Sequence, residues 1–193
     1  FFNNLFYYEN FEDNSYTGSH TTADISDISG HTGLTTKAIH TERNNTKLWR
    51  QTGISNVKNI SFWVYFNGRS SNTGTALLTL YDPNNSSNWV TLWMYSVAPT
   101  NSFMISSGGT YSSNTYSYYI NGVQNSTTDI SNGTWNHISF NTQEQISGNI
   151  NWCHLYPGYD NDTSYYMDAY IDEVKFFSNE LTQQQVTDLS TNN

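Results

Sequence analysis

Apolar and polar residues alternate with period two along most of the chain, interrupted at short intervals by Asn, Gly, Ser and Pro. That is the pattern of antiparallel β-strands joined by tight turns. In the stretch NISFWVYF (59–66), Ile60, Phe62, Val64 and Phe66 share one face, and Trp63 and Tyr65 share the other. A second strand is predicted over 75–81, closed by Asp-Pro-Asn-Asn. A third, over 89–95, sets Trp89, Thr91, Trp93 and Tyr95 against Val90, Leu92 and Met94. Further strands are expected at 101–106, 115–121, 134–141, 149–156 and 166–177, and a first strand over 1–12. Apolar residues on both faces of several strands suit two packed sheets with one further covered or ligand-facing surface.

One helix is predicted, over 181–190. Thr182 is a good N-cap, Gln185 completes a capping box, and Leu181 with Val186 forms a hydrophobic staple. Residues 67–74 and 84–88 read as surface turns. The segment 14–31, rich in Ser, Thr, Gly and Asp, reads as one long loop. There is no internal repeat and no linker, so 193 residues are expected to form a single all-β domain, residues 1–193.

Composition narrows the function classes. Charged residues are only 12% and aromatics 16%, a ratio opposite to that of disordered chains. With a net charge of −9 and no clustered Lys or Arg, the chain is not expected to bind nucleic acid or an anionic membrane surface. No apolar run is long enough for membrane insertion. The single cysteine, Cys153, cannot form an internal disulfide and is expected to be a small buried residue. Asn-X-Ser/Thr patterns, Asn59 among them, are no more frequent than so much Ser and Thr would give by chance. The opening FFNNLFYY is too apolar to stay in water. It should pair within its own sheet or dock on another copy of the chain.

The stretch MDAYIDEVKFFSNELT (167–182) with the helix after it resembles the C-terminal end of laminin-G-like domains, which are concanavalin A-like jelly rolls. GTWNHISF (133–140) is similar to a Trp-x-His-apolar strand of that family. The N-terminal NFED (10–13), followed by a loop and 31–39, is similar to jelly-roll carbohydrate-binding modules and MAM domains. The resemblance implies a two-sheet antiparallel jelly-roll sandwich and a structural calcium ion. Glu12 and Asp172 would be its carboxylate ligands, with carbonyl oxygens from Asn10, Thr32 and Lys37. Coordination chemistry agrees: calcium takes six to eight hard oxygens. Paired first and last strands would bring together two carboxylates that repel without a cation.

Catalytic patterns are missing. Asp168, Asp172 and Glu173 come nearest to a pair of catalytic carboxylates, but Asp168 and Asp172 are spaced differently from those of jelly-roll glucanases, and no lyase, zinc, phosphate-loop or nucleophile-elbow pattern occurs. His137 and His154 read as packing or hydrogen-bonding residues. Sugars offer apolar faces ringed by hydroxyls, which suits Trp and Tyr flanked by Asn, Asp and Gln. The candidate ligand-binding residues are Trp63 and Tyr65, Trp93 and Tyr95, and Trp152, His154 and Tyr156, each equally able to fill a covered sheet face. The expected function is non-catalytic binding of a glycan or polysaccharide, or adhesion, outside the cell or on a particle surface. The alternative is a subunit that self-assembles with copies of itself into a fibre, appendage or virus particle. Hydrolase or lyase chemistry ranks last.

Overall fold

The computed structural model describes residues 4–13, 24–27, 37–42, 47, 49–69, 74–97, 100–125, 130, 133–153 and 167–191. It is an all-β, antiparallel sandwich with one short C-terminal helix. The strands are β1 (Leu5–Glu9), β2 (Asp24–Asp27), β3 (Lys37–Glu42), β4 (Trp49–Arg69), β5 (Gly74–Asp82) and β6 (Asn85–Val97). They continue with β7 (Thr100–Gly108), β8 (Tyr116–Ile120), β9 (Val123–Gln124), β10 (Trp135–Trp152) and β11 (Met167–Phe177). Helix α1 is Gln183–Thr191, and a 3-10 turn covers Gly109–Ser113.

The central feature is a long antiparallel ribbon of β4 and β10. At one end Trp135 pairs with Tyr65; at the other Trp152 pairs with Trp49. The ribbon is folded over. Phe62 lies opposite Ile138, and Trp152 sits at the far end of the same strand. In a straight strand these positions would be on the order of 45 Å apart. Instead the Phe62 and Trp152 rings meet edge to face, with centroids 4.9 Å apart. The two halves of the ribbon therefore face each other across one core.

Each half recruits its own neighbours. The later part of β4 pairs with β11, which carries β1 and β3, and β2 joins β3. The early part of β10 adds β8, and then β9. In the second layer, the late part of β10 adds β5, β6 and β7 in order. Ile60, Phe62, Val64 and Phe66 from the first layer, and Leu78, Leu80, Val90, Leu92 and Met94 from the second, meet in one buried cluster. Full burial of side chains of this size contributes roughly 1.5–3 kcal/mol each.

The fold in the ribbon has local causes. Gly53 and Asn56 on β4 adopt left-handed backbone, and the β4–β10 register shifts three times between Asn141 and Ile150. Gly148 sits at the shift beside β5. A Cβ there would lie 2.1 Å from the Tyr81 carbonyl oxygen, so no other residue fits without moving main chain.

Helix α1 covers one end of the outer face of the first layer. Leu181, Val186 and Leu189 pack on Tyr119 and Phe177. The capping box forms as its sequence directs: Gln185 N–H donates to Thr182 Oγ1 at 3.3 Å, and Thr182 N–H donates to Gln185 Oε1 at 2.9 Å. Buried Asn141 fastens the approach to the helix, donating to Leu181 O at 2.9 Å and accepting from Leu181 N–H at 3.1 Å. Asn59 donates to Asn141 and Ser139 and has no exposed surface, so this sequon is closed to a glycan.

Several sequence expectations need correction. The strand expected at 59–66 runs from Trp49 to Arg69, and those at 134–141 and 149–156 are a single bent strand. The predicted loop 14–31 contains β2, and β3 was not anticipated; both are short segments without alternation. In the expected turn at 84–88, Asn85 already belongs to β6, and the Asp82 side chain closes the turn by accepting from Asn84 N–H at 2.8 Å. The N-terminal strand stops at Glu9 because Phe11 turns into left-handed backbone at φ 61°.

Replacing Gly148 with Ala should destabilise the protein by about 2 kcal/mol or more, because the added methyl collides with main chain at the fold in the ribbon. Urea unfolding of wild type and variant measures this, and equal midpoints would show that the corner is not under this constraint.

Candidate functional site

Successive pairings align one row of side chains across four strands. His40 of β3 lies opposite Tyr170 of β11, Tyr170 opposite Tyr65 of β4, and Tyr65 opposite Trp135 of β10. Directly opposed residues point to the same face. Here that is the outer face of the first layer, beyond the reach of α1. The rings touch in sequence: His40 stacks on Tyr170 at 4.5 Å and 14°, Tyr170 meets Tyr65 edge to face at 6.1 Å, and Tyr65 tilts against Trp135 at 5.7 Å. Tyr170, Tyr65 and Trp135 are half-buried. In the next row Asp172 lies opposite Trp63, and Trp63 opposite His137, with the Trp63 and His137 rings 5.2 Å apart.

Polar groups border this ladder. His40 Nε2 and Asp168 Oδ1 are 2.6 Å apart, Asn67 donates to Asp168 Oδ2 at 2.7 Å, and Lys47 Nζ is 3.1 Å from His40 Nδ1. An ammonium can only donate. Nδ1 therefore accepts, and the Nε2 proton points to Asp168. Burial, followed by the Asp168 carboxylate, raises the Tyr170 hydroxyl above its usual pKa; Lys47 opposes the shift, and Tyr65 and Glu42 add to it. Tyr170 thus stays a hydrogen-bond donor at neutral pH. His40, Glu42 and Asp168 offer ligand atoms within 4.8 Å of one another. As arranged, the imidazole proton occupies the nitrogen a metal would need, and Lys47 holds the other nitrogen.

Of the predicted calcium residues, Asn10, Glu12, Lys37 and Asp172 lie around the place where β1 ends and β3 begins beside β11. Both strands flank the same edge of β11: β1 pairs with Val174 to Phe177, and β3 with Asp168 to Ile171. Asp172 and Glu173 fill the gap. A bulge interrupts the pairing between Asp172 and Lys175, with Glu173 in left-handed backbone at φ 52°. Asp172 is fully buried, and its Oδ1 accepts from Glu173 N–H at 2.7 Å. Glu12 reaches the same junction, its Oε1 accepting from Lys37 N–H at 2.8 Å. The Lys37 contact is thus made through its amide. Asn10 Oδ1 lies 3.4 Å from Glu12 N. Glu173 instead serves the rim, accepting from Tyr8 Oη at 2.5 Å and Lys175 Nζ at 2.6 Å. Burial, then the Glu173 carboxylate, pushes the Tyr8 hydroxyl up.

The other candidates divide. Trp93 is half-buried on β6, its indole donating to Ser106 Oγ at 2.5 Å. Tyr95 is described only through its strand pairing, opposite Gly74 and Ser102. Trp152 is corrected: its ring is wholly buried, stacked on Trp49 at 5.0 Å, and its indole donates to Gln51 Oε1 at 2.8 Å. It is a core residue closed to any ligand. Thr32, His154 and Tyr156 lie outside the described residues. His137 is a packing and hydrogen-bonding residue, as expected, 2.8 Å from Ser61 Oγ with both side chains buried. Cys153 is buried as expected, which pushes its thiol up to about 12.

Sequence reading missed Trp135, Tyr170 and His40. Trp135 and Tyr170 sit in expected strands and His40 in one that alternation does not mark, and only the strand register shows that they align with Tyr65.

No protein-family profile and no curated protein matches the chain. Solved structures do. The chain is similar to the binding domain of Paraclostridial Mosquitocidal Protein 1, at 12% identity and a TM-score of 0.51, covering 97% of this chain and 52% of that one. It is also similar to the botulinum neurotoxin serotype G binding domain, at 15% identity and a TM-score of 0.45, covering 91% and 45%. A third is the serotype D ligand-binding domain in complex with N-acetylneuraminic acid, at 13% and 0.46, covering 97% and 50%. The chain therefore spans about half the length of these structures. At such identities the first likeness bears on the fold alone.

Proposed function

We propose that this chain is a non-catalytic glycan-binding or adhesion module that works outside the cell or on a particle surface. The observation that carries the reading is the in-register ladder His40–Tyr170–Tyr65–Trp135, an aromatic row at the outer surface bordered by hydrogen-bonding side chains. Aromatic faces accept the C–H faces of sugars, while Asn67, Glu42 and the Tyr170 hydroxyl suit their hydroxyl groups. The fold likeness to a toxin binding domain is in keeping with this reading. The proposal also takes residues 1–193 as a single laminin-G-like domain, a resemblance carried by Ile171-Asp172-Glu173-Val174.

A structural calcium ion belongs to the same proposal. The supporting observation is that the carboxylates of Glu12 and Asp172, hard oxygen donors of the kind calcium takes, are both placed at the junction of β1, β3 and β11. Glu12 and Asp172 would hold the ion, with main-chain oxygens of Asn10, Thr32 and Lys37. Calcium there would supply charge neutralisation and tie the end of β1 to the start of β3. Self-assembly is a second reading, favoured by Leu5, Phe6 and Tyr8, which are 37%, 49% and 47% exposed on β1.

Three outcomes are expected. Tyr65→Ala should weaken binding to a glycan-array ligand by roughly tenfold, the loss typical of an aromatic anchor, while leaving the circular dichroism spectrum unchanged. Retained binding would remove the ladder from the site. In a thermal melt, calcium should raise the midpoint of the wild type and chelator should lower it. Asp172→Ala should melt about 5 °C lower than the wild type and be insensitive to both. Identical curves for wild type and variant would dismiss the ion. Light scattering of the wild-type sample should report a single chain; large particles dispersed by Phe6→Ser would favour self-assembly.

A further inference from the structure

We infer that the ladder selects uncharged glycans and rejects acidic ones such as sialylated, sulfated or uronic acid chains. The inference rests on the glycan-binding reading and adds a substrate class and an orientation to it. Two carboxylates stand together at one side of the row. Glu42 lies opposite Asp168 in the row beyond His40 and Tyr170. Asp168 and Glu42 both act electrostatically on the Tyr170 hydroxyl at the centre of the ladder, against the opposing charge of Lys47. Among the described side chains, Lys47 donates to His40 and offsets one of these carboxylates, and Lys175 is held by Glu173 and lies over the Tyr8 ring, 4.9 Å from its centroid. The rim thus offers acceptors and negative potential. A sugar hydroxyl can donate to it; an anionic substituent is repelled. The net charge of −9 adds long-range repulsion of the same sign.

Register fixes the direction as well. The row crosses four strands, three spacings of about 4.8 Å, or about 14 Å in all. A linear glycan laid along it runs across the strands and meets more than one ring, so affinity should grow from a monosaccharide to a short oligosaccharide and then level off.

The test is a glycan array of matched neutral and acidic partners, including lactose against sialyllactose, probed at 20 mM and 300 mM salt with wild type, Tyr65→Ala and Glu42→Gln. Neutral glycans should bind at least about tenfold more tightly than their acidic partners at low salt, with the gap narrowing at high salt as charge is screened. Glu42→Gln should narrow the gap further by raising the binding of the acidic partners. Acidic glycans bound as tightly as neutral ones, with binding lost in Tyr65→Ala, would overturn the selectivity but leave the site standing. Binding of no glycan at all, or binding indifferent to Tyr65→Ala, would overturn the site and the selectivity with it. Thermal melts of both variants confirm that they are folded before either outcome is read.

Discussion

Pairing along the β4–β10 ribbon is the constraint on which the rest of the molecule depends. Because the ribbon is continuous, one set of main-chain hydrogen bonds determines the register of both layers. Because it is folded over, the apolar faces of its two halves bury each other. The Trp49–Trp152 stack closes one end of that contact, and the Phe62 ring abuts it from the opposite layer. A strand register slip of one residue would turn every side chain to the wrong face. Both the core and the outer ladder would be lost together, since Phe62 and Val64 alternate with Trp63 and Tyr65 on the same strand.

The ribbon leaves a second problem at the far edge of the first layer. Strand β11 is longer than either partner on its outer side, so β1 serves one end and β3 the other. Where the two leave off, backbone and carboxylate groups need partners. The bulge at Glu173 meets this need locally. It lets the Asp172 side chain accept the amide of Glu173 while Glu12 accepts that of Lys37, so that two acidic side chains stand in for missing strand partners. The left-handed Phe11 contributes by turning its ring under the sheet, against Trp49 at 5.3 Å.

Much of this was legible in the residues. Alternation is a local property, and it identified strand faces at 59–66 and 89–94 because the apolar residues of one face are buried in the core, while Trp63, Tyr65, Trp89 and Trp93 on the other are only half-buried. The helix was equally legible, since its cap, capping box and staple are all encoded within six residues. The length of the ribbon was not. Gly53, Asn56 and Gly148 look like turn residues, and in this fold they bend strands that continue through them. The candidate site divides in the same way. Trp63 and Tyr65 were recognisable as a same-face pair within one strand. The ladder, however, depends on which residues of four distant segments lie opposite one another, and that follows from register. Trp152 was misjudged for a related reason: its strand has apolar residues on both faces, and only the fold of the ribbon decides which face is sealed.

The outer face of the first layer shows how one sheet surface can serve two ends. Toward β8 the outward residues are Ser139, Asn141 and Asn59 beside the Tyr119 and Phe177 rings, and the helix packs on those rings with Asn141 bonded to the residue that leads into it. Toward β3 the outward residues become large, half-buried and aromatic, and the helix does not reach them. A helix over one end and none over the other leaves the sheet sealed on Tyr119 and Phe177 and open at the ladder. The carboxylates beside the rings then decide the character of that surface. Asp168 is hydrogen-bonded by Asn67 and His40, so its charge is held in place beside the ladder without closing over it.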